Sequence, residues 1–298
     1  MDHVSTPEKR HAQSTKSDEG RPLVRDFGAQ ENGSRNGTNS GCNFACGGDL
    51  KEIFLGGFRK YFVEMIAVMI FVFLGILSID TSMNDSSMIP AFGHGIAIAA
   101  MVWGVGHISG GHINPAVTVS VALGKSMPWY DAVFYVVFQI VGGFLGALLA
   151  RLCIDDTKWA LINGGLVTKG ITSSWWQILI CEAILTFILC TVVLNAESHD
   201  GIIPIGLAVG LTIFANILAG ADVSGASMNP ARTVGPSVVA TIFEPSQSDL
   251  RALAIHTPWS AWHLWFIYLL APLIGAFVAA LAYRVLLARD DDRRWVQF

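Results

Sequence analysis

Charged residues are scarce in this chain of 298 residues: they make up 14% of it, against 52% hydrophobic residues. The mean hydropathy of +0.51 is far above that of a typical soluble domain. This composition excludes a single soluble core and indicates several membrane spans within a lipid bilayer. The formal net charge of −4 gives no sign of a basic surface, so no nucleic-acid partner is expected.

Cysteine is also sparse, and its five positions are scattered without a legible disulfide framework. The sequence has no His-Glu-x-x-His motif and no Gly-rich phosphate loop, and "HISGGH" is not a nucleophile elbow. These absences predict that the protein is not an enzyme and holds no cofactor or metal. We interpret His107 and His112, which flank a turn, as loop and packing residues.

The first fifty residues lack large apolar side chains and are rich in Ser, Gly, Asn and charge. Such a segment cannot bury enough surface to offset the entropy of ordering, so residues 1–50 are predicted to be a disordered cytosolic tail. The apolar remainder predicts one membrane domain over residues 51–288. Residues 289–298 are predicted to be a short cytosolic C-terminal tail.

Long apolar runs fill the rest of the chain, and a membrane helix needs roughly 20 such residues. Six runs qualify: about 60–79, 88–108, 128–151, 175–195, 202–221 and 262–286. Lys and Arg are more frequent on the side that holds both chain ends, which predicts cytosolic termini. This topology places the sequon at Asn84 in an outer loop as a possible glycosylation site. A multi-pass plasma-membrane protein is the expected location.

The chain also repeats itself. The stretch "SGGHINPAVTVS" beginning at Ser109 returns as "SGASMNPARTVG" beginning at Ser224. Similarly, "FQIVGGFLGALLA" (138–150) resembles "LAPLIGAFVAALA" (270–282). The repeats cover about 55–152 and 173–288. Because each contains three spans, an odd number, the second must enter the membrane inverted, as in many transport proteins.

Each repeat contains an Asn-Pro-Ala triplet followed by an apolar stretch too short to span a bilayer. Asn is a good N-cap and Pro fits the first helical position, so each triplet predicts the start of a half-helix. Irregular backbone at membrane depth is tolerated only in protein or beside a wet cavity. The fold class is therefore an all-α membrane protein with six transmembrane helices and two re-entrant half-helices in an inverted repeat. The residues predicted to lie near the midplane of the bilayer are Asn114, Pro115, Ala116, Asn229, Pro230 and Ala231.

These motifs resemble the aquaporin (major intrinsic protein) family over about residues 55–288. The resemblance rests on "SGGHINPAV", "MNPARTVGPSV", the six spans and an acid in the first span of each half. It implies a homotetramer with one pore per subunit. It also implies that Asn114 and Asn229 donate to passing water, and that Glu64 and Glu182 support the re-entrant loops. The opposed half-helix dipoles would help to exclude cations and protons.

The family resemblance also locates a selectivity ring of four residues, counted from the two asparagines. Its members here are His94, Ile217, Ala226 and Arg232. A histidine in the second span with an isoleucine in the fifth resembles the aquaporin-8-like branch, which is associated with water, hydrogen peroxide and ammonia. Glycerol channels usually carry Asp where this chain has Thr233.

The predicted function is a passive water channel that also passes small neutral solutes such as hydrogen peroxide or ammonia and excludes protons and ions. Several alternatives remain open at this point, among them an ion channel and a purely structural junction protein. A facilitator of glycerol or similar solutes shares the family motifs. A secondary transporter can also use inverted repeats and broken helices, although it usually places charges at the broken segments.

Overall fold

The computed structural model describes residues 57–79, 87–125, 127–167, 173–196, 204–246, 248, 262 and 264–288. The predicted tails, 1–50 and 289–298, and the predicted glycosylation site Asn84 lie outside these residues.

The regular structure of the described residues is helical. The α-helices bounded within them are α1 (Arg59–Leu77), α2 (Met88–Ser109), α3 (Pro115–Lys125), α4 (Trp129–Cys153), α5 (Asp156–Leu161), α6 (Trp175–Ala196), α7 (Ile205–Ser224), α8 (Pro230–Ile242) and α9 (Trp265–Ala282). Within these described segments, six helices (α1, α2, α4, α6, α7 and α9) are long and apolar enough to cross a membrane. The predicted fold class and its six spans are therefore confirmed.

The helices α3 and α8 are the two predicted half-helices, and both begin at the proline of an Asn-Pro-Ala triplet. At 1.5 Å per residue, their 11 and 13 residues are about 16 and 20 Å long, well short of a hydrocarbon core of about 30 Å. The helix that precedes each half-helix ends in the same way. Gly110 and Gly225 both adopt left-handed C-caps, and each N–H donates four residues back at 2.8 Å.

The two halves pack closely through backbone contacts. Helix α2 packs against α7, and the two glycines that the repeat aligns, Gly95 and Gly210, face each other there. A Cβ on Gly95 would lie 2.8 Å from the Gly210 carbonyl oxygen, and a Cβ on Gly210 would lie 2.5 Å from that of Gly95. Only glycine permits so close an approach of helix backbones. The half-helices also cross between halves, since α8 packs against α4 and α3 against α9.

The structure changes the alignment of α4 with α9 in the repeat by one residue. A Cβ on Gly142 of α4 would collide with the Met65 carbonyl of α1, and a Cβ on Gly275 of α9 would collide with the Ala183 carbonyl of α6. Gly142 therefore corresponds to Gly275. The sequence comparison of "FQIVGGFLGALLA" with "LAPLIGAFVAALA" instead pairs Gly143 with Gly275, one residue out of register.

The connection between α4 and α6 contains structure that the sequence analysis did not anticipate. Helix α5 begins after Asp155, whose side chain accepts from the Lys158 N–H at 2.8 Å. A 3₁₀ turn at Asn163–Gly165 follows it. The buried Trp159 indole donates to the Phe243 carbonyl, just past the end of α8, at 3.0 Å. This bond ties the connection to the second half-helix.

Candidate functional site

The starts of the two half-helices lie together in the protein interior. Asn229 caps α8: its side-chain oxygen accepts from the N–H groups of Ala231 and Arg232 at 3.0 and 3.3 Å. Asn114 does the same for α3 by accepting from the Ala116 N–H at 2.8 Å. Both asparagines are nearly fully buried. The caps satisfy N–H groups that a helix start otherwise leaves without partners.

Each asparagine also reaches across to the opposite half. The Asn114 side-chain amide donates to the Met228 carbonyl at 2.9 Å, and the Asn229 amide donates to the Ile113 carbonyl at 2.9 Å. The two half-helices therefore meet at their N-terminal ends, joined by a reciprocal pair of hydrogen bonds. Because these ends carry the positive poles of the helix dipoles, the junction is a region of positive potential.

The backbone before each asparagine is in an unusual conformation. Ile113 and Met228 have φ angles of 54° and 53°, in the left-handed region that side chains rarely adopt. Both are completely or almost completely buried. Residues other than glycine are strained in the left-handed region. They persist there only where the surrounding structure imposes the conformation, typically at functional sites. The carbonyls of these two residues accept the asparagine bonds across the halves.

The acids predicted to support the loops are fully buried and contact them directly. Glu64 of α1 accepts from the Ser109 hydroxyl at 2.7 Å and from the N–H groups of His112 and Ile113 at 2.9 and 2.7 Å. The carboxyl group therefore satisfies three donors of an irregular turn in the protein interior.

Glu182 of α6 repeats this arrangement in the second half. It accepts from the Ser224 hydroxyl at 2.8 Å and from the N–H groups of Ser227 and Met228 at 2.8 and 2.7 Å. Because two successive backbone N–H groups point to one carboxyl group, each acid dictates the path of its turn.

Further polar groups contact the first re-entrant turn and were not predicted from the sequence. Gln139 of α4 donates to Glu64 at 2.8 Å and to the Thr118 hydroxyl at 3.0 Å. The His112 ring nitrogen Nδ1 lies 3.1 Å from the same hydroxyl. A lone glutamine within an apolar run was the available signal for this network, because buried polar groups in such runs need partners.

Two tyrosines act alike in the two halves. The Tyr135 hydroxyl donates to the Ser109 carbonyl, and the Tyr268 hydroxyl donates to the Ser224 carbonyl, both at 2.7 Å. Each tyrosine therefore ties α4 or α9 to the end of the helix before its re-entrant turn. Neither tyrosine was predicted from the sequence.

Of the four predicted ring residues, His94 and Arg232 are in direct contact. The Arg232 Nε–H donates to the His94 Nε2 at 3.1 Å, which requires that nitrogen to be the acceptor. The other ring nitrogen, Nδ1, then carries the proton and donates to the Pro90 carbonyl at 2.7 Å. Arg232 also donates through Nη1 to the Gly165 carbonyl at 3.0 Å. A backbone acceptor leaves no side-chain signature, so sequence reasoning missed Gly165.

The other two ring residues are apolar and buried in the same core. Ile217 lies on α7, and Ala226 lies in the second re-entrant turn with a φ of 47°. A buried asparagine, Asn216, precedes Ile217 and donates to the Leu185 carbonyl at 2.9 Å. Ile217 and Ala226 present only hydrocarbon side chains, whereas Arg232 presents hydrogen-bond donors.

In the part of the chain that the structure describes, no three His, Cys, Asp or Glu side chains lie close enough together to hold a metal ion. The site's chemistry is instead that of fixed donors on Asn114, Asn229 and Arg232, surrounded by apolar walls. Such an arrangement suits the binding and passage of small polar molecules.

Comparisons with known proteins agree with this architecture. The sequence profile of the major intrinsic protein family matches residues 53–283. The chain is 34% identical to aquaporin-5 of Sus scrofa over 250 residues, covering 80% of this chain and 84% of the relative. It is 30% identical to aquaporin-8 of Mus musculus over 237 residues, covering 78% and 83%. The fold resembles the aquaglyceroporin of Plasmodium falciparum with a TM-score of 0.60 and 21% identity, covering 78% of this chain and 97% of that one.

Proposed function

The chain belongs to the major intrinsic protein family of water and small-solute channels, and on that premise we propose that it forms a passive water channel. We propose that it also passes small neutral solutes such as hydrogen peroxide or ammonia, and that it excludes protons and ions.

The observation that carries the proposal is the junction of the two half-helices. A side-chain amide has two N–H groups, and each asparagine uses one of them to bond the opposite half. The second N–H of Asn114 and of Asn229 is left to donate to a passing molecule. Because both helix dipoles present their positive ends there, a water molecule at the junction accepts from the asparagines, and cations are repelled.

The guanidinium of Arg232 supports ion exclusion at a second level. It is buried and held between two acceptors, His94 and Gly165. A fixed positive charge in a poorly solvated constriction opposes the entry of cations much more strongly than the same charge in water. Its remaining N–H groups can donate to neutral molecules that carry lone pairs.

The composition of the ring supports the solute range. His94 uses both ring nitrogens within the protein, and Ile217 and Ala226 offer hydrocarbon. A solute at the ring therefore meets Arg232 donors and apolar walls. Water, hydrogen peroxide and ammonia each accept a hydrogen bond and are small, whereas glycerol needs a wider path with several polar partners.

The family and the described surface support further proposals. We propose a channel domain over residues 51–288 flanked by cytosolic tails, assembled as a homotetramer in the plasma membrane. Large apolar side chains are exposed on the spans, among them Trp103 on α2 at 78% and Leu152 on α4 at 70%. Lipid or neighbouring subunits would cover such surfaces. Chemical cross-linking in native membranes tests the tetramer.

The function is tested by stopped-flow shrinkage of vesicles that contain the purified protein, beside empty vesicles. We expect fast shrinkage with a low activation energy and no conductance in a planar bilayer. The matched variant is Asn229→Asp, which keeps the capping oxygen and removes the amide donors. Because an unmade buried hydrogen bond costs about 1–3 kcal/mol, water permeability should fall by about fivefold or more.

The same vesicles separate the alternatives. Rapid glycerol uptake exceeding that of water would favour the glycerol facilitator. Uptake that saturates and depends on an ion gradient would favour a secondary transporter. Shrinkage no faster than that of empty vesicles, from folded protein, would contradict the water channel.

A further inference from the structure

The two groups that hold Arg232 both pack against the C-terminal half of α1. The His94 ring lies edge-on to Phe71, with ring centroids 5.6 Å apart. The Gly165 backbone packs against Ile76, since a Cβ on Gly165 would lie 2.8 Å from the Ile76 Cγ1. None of these α1 residues belongs to the predicted ring, yet they determine where its acceptors lie.

Gly75 lies at the centre of this contact. A Cβ on Gly75 would lie 2.8 Å from Cδ2 and 2.9 Å from Cε1 of His94, and closer still to Nε2. Ordinary van der Waals contacts of a Cβ begin at about 3.4 Å. The imidazole of His94 therefore occupies the space that any other side chain at position 75 would fill.

The internal repeat offers a natural comparison. The pairing of Glu64 with Glu182 aligns Gly75 with Val193, and the pairing of Gly95 with Gly210 aligns His94 with Val209. The second half therefore has a valine at both positions. The first half instead has glycine, with no side chain, at one position and the large histidine ring at the other. The large residue and the missing one occur together in one half, as expected if one makes room for the other.

We propose that Gly75 is a positioning residue that sets the width of the solute path through His94. Its lack of a side chain lets the imidazole lie back against α1 at its distance of 3.1 Å from Arg232. The inference rests on the proposed function in so far as His94 and Arg232 form the constriction.

The direction of the effect follows from the bonds around the ring. His94 is tied through Nδ1 to Pro90 on its own helix and through Nε2 to Arg232. A methyl group at position 75 would press on the Nε2 side, so the ring must move away from α1. This movement disrupts the Arg232 bond and crowds the constriction.

The experiment is a double-variant cycle of Gly75→Ala and His94→Ala, measured by water permeability in vesicles and by the thermal unfolding midpoint. We expect Gly75→Ala to lower water permeability about fivefold in the wild-type background, which corresponds to a permeation barrier raised by about 1 kcal/mol. In the His94→Ala background the same change should alter it by less than about twofold. The unfolding midpoint should fall on Gly75→Ala only when His94 is present.

The matched control is Gly104→Ala, a helical glycine of α2 whose added Cβ meets nothing within 4 Å. It should leave both measurements unchanged. An equal effect of Gly75→Ala with and without His94, or no effect in either background, would overturn the inference. Should Gly75→Ala alone fail to fold, recovery of folded protein in the double variant supports the contact, and failure of both overturns it.

Failure of the proposed function is recognised separately. In that case wild-type vesicles shrink no faster than empty ones, while the unfolding midpoints still report whether Gly75 and His94 are coupled.

Discussion

Glu64 in the first half and Glu182 in the second each hold a re-entrant turn through one serine hydroxyl and two successive backbone N–H groups. The matching turns have left-handed backbone conformations at the same positions, and the matching asparagines make equivalent bonds. The proposed selectivity ring does not follow this symmetry. The repeat aligns His94, Ile217 and Arg232 with Val209, Val102 and Val117. The polar ring residues, His94 in the first half and Arg232 in the second, thus each correspond to a valine in the other half.

This difference separates two tasks. A pore through an inverted repeat needs the same half-helix twice, because two N-terminal ends must meet at one junction. Selection needs to occur once along a path, so its residues are free to depart from the repeat. Residues that the halves share therefore maintain the scaffold, and residues that differ are the candidates for selectivity.

The scaffold itself has one asymmetric component. Gln139 gives Glu64 a fourth donor, whereas the corrected register places Pro272, which has no such donor, at the matching position of the second half. The first turn is therefore supported more heavily than the second.

The largest effect is expected from removing either acid. Replacement of Glu182 by Gln sets an amide against backbone N–H donors, and we expect a loss of about 3 kcal/mol in the free energy of unfolding, as for buried groups left without partners. Glu64→Gln should cost less, because the Gln139 amide can reverse and accept from the new side chain. Denaturant unfolding in detergent micelles measures both. Equal losses, or a larger loss for Glu64→Gln, would contradict the asymmetry.

A smaller effect is expected from Gln139→Leu. This change leaves Glu64 with three hydrogen-bond donors, the same number that Glu182 has in the second half. Glu64 keeps Ser109 and two N–H groups, while the bonds from Gln139 to Glu64 and to Thr118 are lost, so the cost should be about 1–2 kcal/mol. Gln139→Glu is the informative partner variant, since it places two acids side by side and should cost several times more. The same unfolding assay applies. A loss from Gln139→Leu as large as that from Glu64→Gln would refute the comparison.

Much of this architecture was predictable from the sequence. Apolar runs located the six spans to within a few residues, because a bilayer demands long apolar helices. Asn-Pro pairs located α3 and α8, because capping and the first helical turn have strong residue preferences. The family register predicted His94 and Arg232 as neighbouring ring residues, and the structure brings these two side chains into contact.

The remainder depends on backbone groups and on register. Gly165 and Pro90 act through carbonyls that every residue possesses, so no residue type marks them. Helix α5 lies in a short mixed segment whose course is fixed by tertiary contacts such as that of Trp159. The slip of one residue between α4 and α9 arose because Gly142 and Gly143 are adjacent, and only the helix contacts distinguish them.

The most direct test replaces the two polar residues of the proposed ring by the residues found at the matching positions of the repeat. In the double variant His94→Val/Arg232→Val, the asparagine junction is untouched and both ring residues become the valines found at the matching positions. Water and urea permeability would be measured in the same vesicles by stopped-flow light scattering. We expect water permeability within about threefold of wild type and a urea-to-water ratio raised about tenfold, the scale of selectivity that one change in a pocket supplies. An unchanged ratio from folded protein, or loss of water permeability, would contradict the claim that the asymmetric residues select and the repeated ones conduct.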